Sequence, residues 1–112
     1  FAVGWYENWV EERRLYYRRV NEECLSILAS IYHDKAMYKE TASICERLLS
    51  LDFLEERYHR LYMSALAKLG RFIEVEEDYG KLKKVLKKEL KTEPQQVTTE
   101  LYSSLAKADA AR

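Results

Sequence analysis

Apolar residues in this chain recur every three or four positions, in blocks separated by short polar breaks, and no segment alternates with period two. In the first block Trp9, Tyr16, Val20, Cys24, Ile27 and Ile31 fall on one helical stripe, and from residue 24 a second stripe of Leu25, Leu28 and Tyr32 runs beside it. The spacing predicts a long first helix, capped by Asn8 with Glu11 three residues on. Its front half should bury one face, and its back half should be sandwiched between neighbours. "HDKAM" at 33–37 breaks the pattern, and a second helix is expected from about Tyr38 to Leu51. Asp52 and Glu55 form another capping pair, opening a third helix over about 53–69, and Gly70 stands where a helix end needs a left-handed residue. A fourth helix is expected from Phe72 to Leu90, with Val75, Tyr79, Leu82, Val85, Leu86 and Leu90 inward. Pro94 interrupts, and a last helix starts near Gln96 with Val97, Leu101 and Leu105 inward. The fold class is all-α, about five helices joined by short turns and therefore antiparallel.

"AMYKETASICERLLSLDF" at 36–53 has an echo thirty-four residues later in "GRFIEVEEDYGKLKKVL". Tyr38 aligns with Phe72, Glu40 with Glu74, Cys45 with Tyr79, Leu48 with Leu82 and Leu51 with Val85. Residue class is kept while identity drifts, as expected where successive helical hairpins meet equivalent neighbours. Thirty-four residues per helix pair is the tetratricopeptide period, so the hairpins should stack as a right-handed array of that type. Met63 and Val75 are large for positions where that repeat prefers a small residue, and Phe53 stands where proline is usual.

At 112 residues the chain is one domain, long enough to bury about 65% of its unfolded surface. A hydrophobic fraction of 47% can fill a core, while three glycines and one proline exclude a sandwich, a barrel or a disordered linker. No membrane span or signal peptide is visible. The net charge is zero but uneven, −4 over residues 1–56 and +4 over 57–112. That split suits docking to a partner and is weak support for nucleic acid. Two cysteines, Cys24 and Cys45, match no metal or redox spacing, so a reduced, cytoplasmic chain with packed thiols is expected. A bridge across the first hairpin remains geometrically conceivable.

The two ends carry a more specific likeness. "VGWYENWVEERRLYYRRV" resembles the start of the bacterial transcriptional activator domain, where a Gly-aromatic-aromatic-acidic-x-Trp run opens a long Arg-rich helix. "HRLYMSALAKLGRFIEVEEDYGKLKKVLKKELKTEPQQVTTELYSSL" is similar to the closing half of that domain, with its "A-x-x-G-R" turn, "Y-x-x-L" step, "L-x-x-E-P" and final "E-L-Y". The resemblance covers about residues 3–105. Departures are Phe53, where proline usually follows Asp52, and Lys91, where glycine is common. In that family the domain follows a winged-helix DNA-binding domain. The resemblance therefore implies the regulatory module of a transcription factor, residues 1–112 being part of a longer protein and residues 1–8 the junction to an N-terminal DNA-binding domain. A stand-alone tetratricopeptide-like adaptor is the alternative.

Chemistry-bearing candidates are sparse. The six lysines of "KLKKVLKKELK" (81–91) could grip phosphates, but Leu82, Val85, Leu86 and Leu90 claim the inner face and leave them on a solvated one. Acidic residues 74–78 precede them, the order that the helix dipole favours. His33 and His59 have no metal-spaced partner, and neither a phosphate loop nor a nucleophile elbow occurs. No catalytic, metal or cofactor residue is assigned, and an enzyme is not expected.

Two surfaces remain as interaction sites. First-of-pair helices line the groove of a stacked array, and here those positions are Glu23, Ser26, Ser30 and His33, then Arg57, Arg60, Ser64 and Lys68. They are expected to take a protein partner, unless the array only spaces or dimerises its neighbours. The asparagine pattern that clamps a peptide carboxylate in some tetratricopeptide domains is absent, since Ile27 and Leu61 hold those sites. Trp5, Tyr6 and Trp9, with Arg13 beside them, are expected at the seam to the DNA-binding domain, with Trp9 also packed on the bundle. Partners are thus protein (that domain, transcription machinery or a second copy), with DNA reached through the other domain and no membrane.

Overall fold

The computed structural model describes residues 2–111, with side chains from residue 4. Five helices follow one another: α1 (Ala2–Asp34), α2 (Tyr38–Leu51), α3 (Glu56–Lys68), α4 (Phe72–Leu90) and α5 (Gln96–Ala110). No strand occurs among the described residues. Sequential helices pack as hairpins, and α3 touches α1, α2, α4 and α5, so it is the centre of a stacked helical array.

Two turns share one closure, and a third ends on the same left-handed conformation. After α3, Gly70 adopts φ 77° while the Arg71 amide bonds Leu66 O at 2.9 Å and the Gly70 amide bonds Ala67 O at 3.0 Å. This is a Schellman closure, which pairs two of the carbonyls that a helix end leaves over. Thirty-four residues earlier, Ala36 does the same at φ 59°, with Met37 N to Tyr32 O at 2.9 Å and Ala36 N to His33 O at 3.0 Å. Lys91 ends α4 at φ 52°. The glycine that resemblance places at 91 is thus missing from a left-handed position.

Both proposed N-caps are corrected. Asn8 lies inside α1, because a single Gly4 costs only about 1 kcal/mol in a helix interior, too little to stop a helix of 33 residues. Asp52 closes α2 instead of opening α3, its amide bonding Leu48 O at 2.9 Å. Glu55 caps α3, its Oε1 accepting from the Arg57 amide at 3.3 Å and from Arg57 Nε at 3.1 Å.

The core has two adjoining clusters. Leu25 and Ala29 of α1 meet Ile44, Cys45, Leu48 and Leu49 of α2 and Tyr58 of α3. Ala42 of α2, Met63, Ala65 and Leu66 of α3, and Val75 and Tyr79 of α4 form the second. The repeat pairs hold: Leu48 and Leu82 are both fully buried, as are Met63 and Val75 despite their size. Here the array accepts bulk where the repeat usually holds a small residue. α5 closes the far end, where Tyr102 stacks on Tyr79 at 4.0 Å and 5°.

His59 pins the second hairpin from inside. The ring is fully buried, with Nε2 2.6 Å from Phe53 O and Nδ1 2.8 Å from Asp78 Oδ2. Nε2–H donates to the carbonyl, which ties the α2–α3 turn to α3, and the Nδ1 contact ties α3 to α4.

Several apolar positions expected inside are outside. Leu90 is exposed because it lies in the last turn of α4, and Val97 because the register of α5 turns Thr98 inward instead. The larger difference is in α1. From Glu22 onward its buried and half-buried residues are Glu22, Leu25, Ser26, Ala29, Tyr32 and His33, one face against α2 and α3. The stripe from Trp9 to Ile31 runs along the opposite face and is exposed throughout. Among the described residues no second neighbour covers that face of the back half, and the front half meets other helices only where Leu15, Arg18 and Arg19 flank Leu51 and Asp52. Cys24 sits on that open face, while Cys45 is buried; both are free thiols. The expectation that both thiols are packed, or bridged, fails for Cys24.

Candidate functional site

α1, α3 and the start of α5 enclose an open cleft of about 380 Å³, lined by Ser26, Ser30, Arg57, Tyr58, Arg60, Leu61, Ser64 and Leu101. Its geometry follows from the repeat. Ser30, Ser64 and Thr98 stand thirty-four residues apart and mark the same turn of three successive first-of-pair helices. Thr98 is fully buried and accepts from Arg60 Nη1 at 2.9 Å; Gln95 Oε1 accepts from the same nitrogen at 3.2 Å. Buried Glu56 reaches the same junction, its Oε1 accepting from the Gln95 amide at 2.9 Å. Two residues of α3 thereby hold the start of α5 against the cleft.

Of the expected groove residues, the structure gathers Ser26, Ser30, Arg57, Arg60 and Ser64 on the wall. Glu23 is exposed at the rim, where its charge reaches Arg57. The hydrogen bond and charge of Glu55, with that of Glu23 behind them, hold the Arg57 guanidinium above its ordinary pKa. His33 is not on the wall: its ring turns edge-on to Tyr38 at 5.5 Å and 74°. Lys68 is exposed near the end of α3 and also lies off the wall.

Tyr58, Leu101 and Thr98 were not foreseen here. The thirty-four-residue offset from Ser64 to Thr98 was the available signal, and it shows that α5 acts as the first helix of a third pair. Tyr58 donates to Glu22 Oε2 at 2.7 Å across the α1–α3 contact. Burial, then that carboxylate, push its phenol up. Burial raises the pKa of Asp52, and Glu22 and Glu55 raise it further, in a neighbouring hollow between α1 and the end of α2. Arg57 and Arg60 make the middle of the cleft basic. No set of three or more metal-ligating side chains converges among the described residues.

The second surface is the arm of α1. Trp5, Tyr6 and Trp9 are all exposed, Trp5 the most at 71%. Trp9 is 45% exposed, and its ring neighbours are Tyr6, 6.3 Å away, and the Arg13 guanidinium 5.2 Å above the ring, both of α1. Arg13 also donates to Tyr17 Oη at 3.1 Å. The expectation that Trp9 packs on the bundle is overturned, because α1 projects past the end of α2 before its residues find a neighbour.

The lysines of α4 are exposed, Leu82 and Leu86 are buried and Val85 is half-buried, which gives the helix one solvated basic side. Among the described residues no helix is long and apolar enough to cross a membrane. A family described as bacterial transcriptional activator domain has a model that matches residues 3–106. No curated protein and no solved structure matches the chain.

Proposed function

The chain belongs to the bacterial transcriptional activator domain family, and from that premise we propose that it is the regulatory protein-interaction domain of a transcriptional activator, acting with an upstream winged-helix DNA-binding domain. The observation that carries this reading is the pairing of the family match with an exposed aromatic arm at the start of α1. Trp5, Tyr6 and Trp9 face the upstream domain, and the Ser30–Arg60–Ser64 cleft takes a protein partner. DNA contact belongs to the other domain, since the chain is neutral and its lysine face is balanced by the acidic start of the same helix.

The test uses the full-length regulator. Trp5→Ala/Trp9→Ala should lower transcription from its promoter and loosen hydrogen-exchange protection of α1, with DNA affinity little changed. Ser64→Trp, which fills the cleft, should lower activation without loosening α1. Unchanged activation in both variants removes the reading in favour of an adaptor with no link to DNA.

A further inference from the structure

The outer face of α1 has a property that neither the cleft nor the aromatic arm uses: it is complementary to itself. Tyr16, Val20, Ile27 and Ile31 recur at helical spacing along it, and every one is exposed, Tyr16 at 59% and Ile27 at 55%. Arg13 bounds this apolar stretch at one end and Asp34 at the other, both in line with it and both exposed. Neither makes an ion pair among the described residues. The spacing 9, 20, 31 and 16, 27 repeats every eleven residues, which is 3.67 per turn and keeps a seam almost straight along a helix.

We propose that this face is a two-fold interface between two copies of the chain, their α1 helices antiparallel and centred between Glu23 and Cys24. Rotation about that centre sets Arg13 against the partner's Asp34, Tyr16 against the partner's Ile31, and Val20 against the partner's Ile27. Each of these pairs occurs twice, as an isologous contact requires. Cys24 meets the partner's Cys24 beside the axis. The apolar stretch is capped by an ion pair at each end, so a parallel or shifted pairing would leave both charges against apolar side chains.

Area supports a second copy as the occupant. Tyr16 and Tyr17 each carry roughly 150–250 Å² of surface, more than half of it open here, and Val20, Ile27, Leu28 and Ile31 add to it. Together they expose on the order of 500 Å² per partner, less than the ~800 Å² of a standard interface and in the range of weak, reversible ones. The chain has no net charge, so two copies meet without long-range repulsion. In this register residues 4–12 overhang the pairing at both ends. The rings of the aromatic arm therefore stay open, and Arg13, which lies over Trp9, is the residue the two surfaces share.

Sedimentation equilibrium of the 112-residue chain should show a weak, reversible dimer, with a Kd on the order of 10 µM. Ile27→Glu should weaken it by at least ~100-fold, by burying an unpaired carboxylate, with the helical circular dichroism unchanged. Arg13→Asp should weaken it ~10-fold, and Arg13→Asp/Asp34→Arg should restore it, which only this register does. A short bismaleimide should join two chains through Cys24, with Cys45 silent because it is buried. Cys24→Ser should abolish the cross-link and keep the dimer. A chain that stays monomeric at hundreds of micromolar overturns the proposal and assigns the face to another partner. So does a dimer that Ile27→Glu leaves intact, or one that Cys24 cannot cross-link.

Discussion

The two halves of α1 have similar apolar content and opposite surroundings. From Glu22 onward one face meets α2 and α3, and Leu25 and Ala29 are buried in the core. From Gly4 to Val20 every residue is exposed except the half-buried Val10, although two tryptophans and three tyrosines lie there. Periodicity therefore reports which positions demand cover and is silent on what supplies it. In the back half the cover is the chain's own second helix; over the front half none of the described helices supplies it.

The contrast between halves is sharpest in stability. Leu48→Ala and Leu82→Ala each remove a fully buried side chain from equivalent repeat positions, and each should cost about 3–5 kcal/mol. Such a loss is a large share of a domain's stability. Urea unfolding followed by circular dichroism is the check. A shift no larger than that of Leu90→Ala, at an exposed site of the same helix, breaks the repeat assignment.

Next in size is the buried pin. Asp78→Ala strips His59 Nδ1 of its partner and should cost about 2–3 kcal/mol, the range for a buried polar atom left unpaired. Asp78→Asn should cost less, because an amide can still pair with that nitrogen. Equal losses for the two variants would show that packing around residue 78, and not the hydrogen bond, holds α3 to α4.

Alkaline pH should act on the same packed half and spare the arm. Burial pushes the Cys45 thiol from 9.0 up to about 12, and burial with Glu46 pushes Tyr62 from 10.0 up to about 12. Both groups ionise in the unfolded chain before they do in the folded one. Stability is then complete below about pH 9 and falls as pH rises toward 12. The urea midpoint measured from pH 7 to 11 should decline above pH 9, and less steeply in Cys45→Ala. An identical slope in that variant would remove the thiol from the account.

Much of the fold was legible in residue pattern. The starts of α2, α4 and α5 fall at Tyr38, Phe72 and Gln96 as the breaks before them imply, and Gly70 takes the left-handed turn expected of it. What escaped has physical causes. Ala36 and Lys91 occupy left-handed positions without being glycine, so residue type hid the turn that the repeat offset from Gly70 would have placed at Ala36. Asp52 and Glu55 both have cap chemistry, and only three-dimensional closure of α2 decides between them. The cleft was legible through Ser30, Arg57, Arg60 and Ser64, while the part supplied by α5 depends on contacts across thirty-five residues or more. Ala36→Gly tests the turn directly. A left-handed conformation costs an L residue about 1–2 kcal/mol, partly offset by glycine's freedom in the unfolded state. A gain of about 0.5–1 kcal/mol in the urea midpoint is expected.

The smallest expected effect belongs to the arm. Trp5→Ala and Trp9→Ala should each move the chain's own unfolding midpoint by less than about 0.5 kcal/mol, as surface substitutions do. Burying a large apolar side chain is worth about 1.5–3 kcal/mol, so even half of it packed on the bundle would be visible. Trp9 is 45% exposed, and its ring contacts are with Tyr6 and Arg13 of its own helix. Those contacts survive only while α1 is helical, and they contribute at the few-tenths level of neighbouring pairs on a helix surface. The pairing of two α1 faces leaves residues 4–12 outside, so Trp9→Ala should not change dimer mass either. A loss of 2 kcal/mol or more in the isolated chain would mean that the arm folds back on the bundle in solution. The front half of α1 would then be covered from within, and the difference between its halves would disappear.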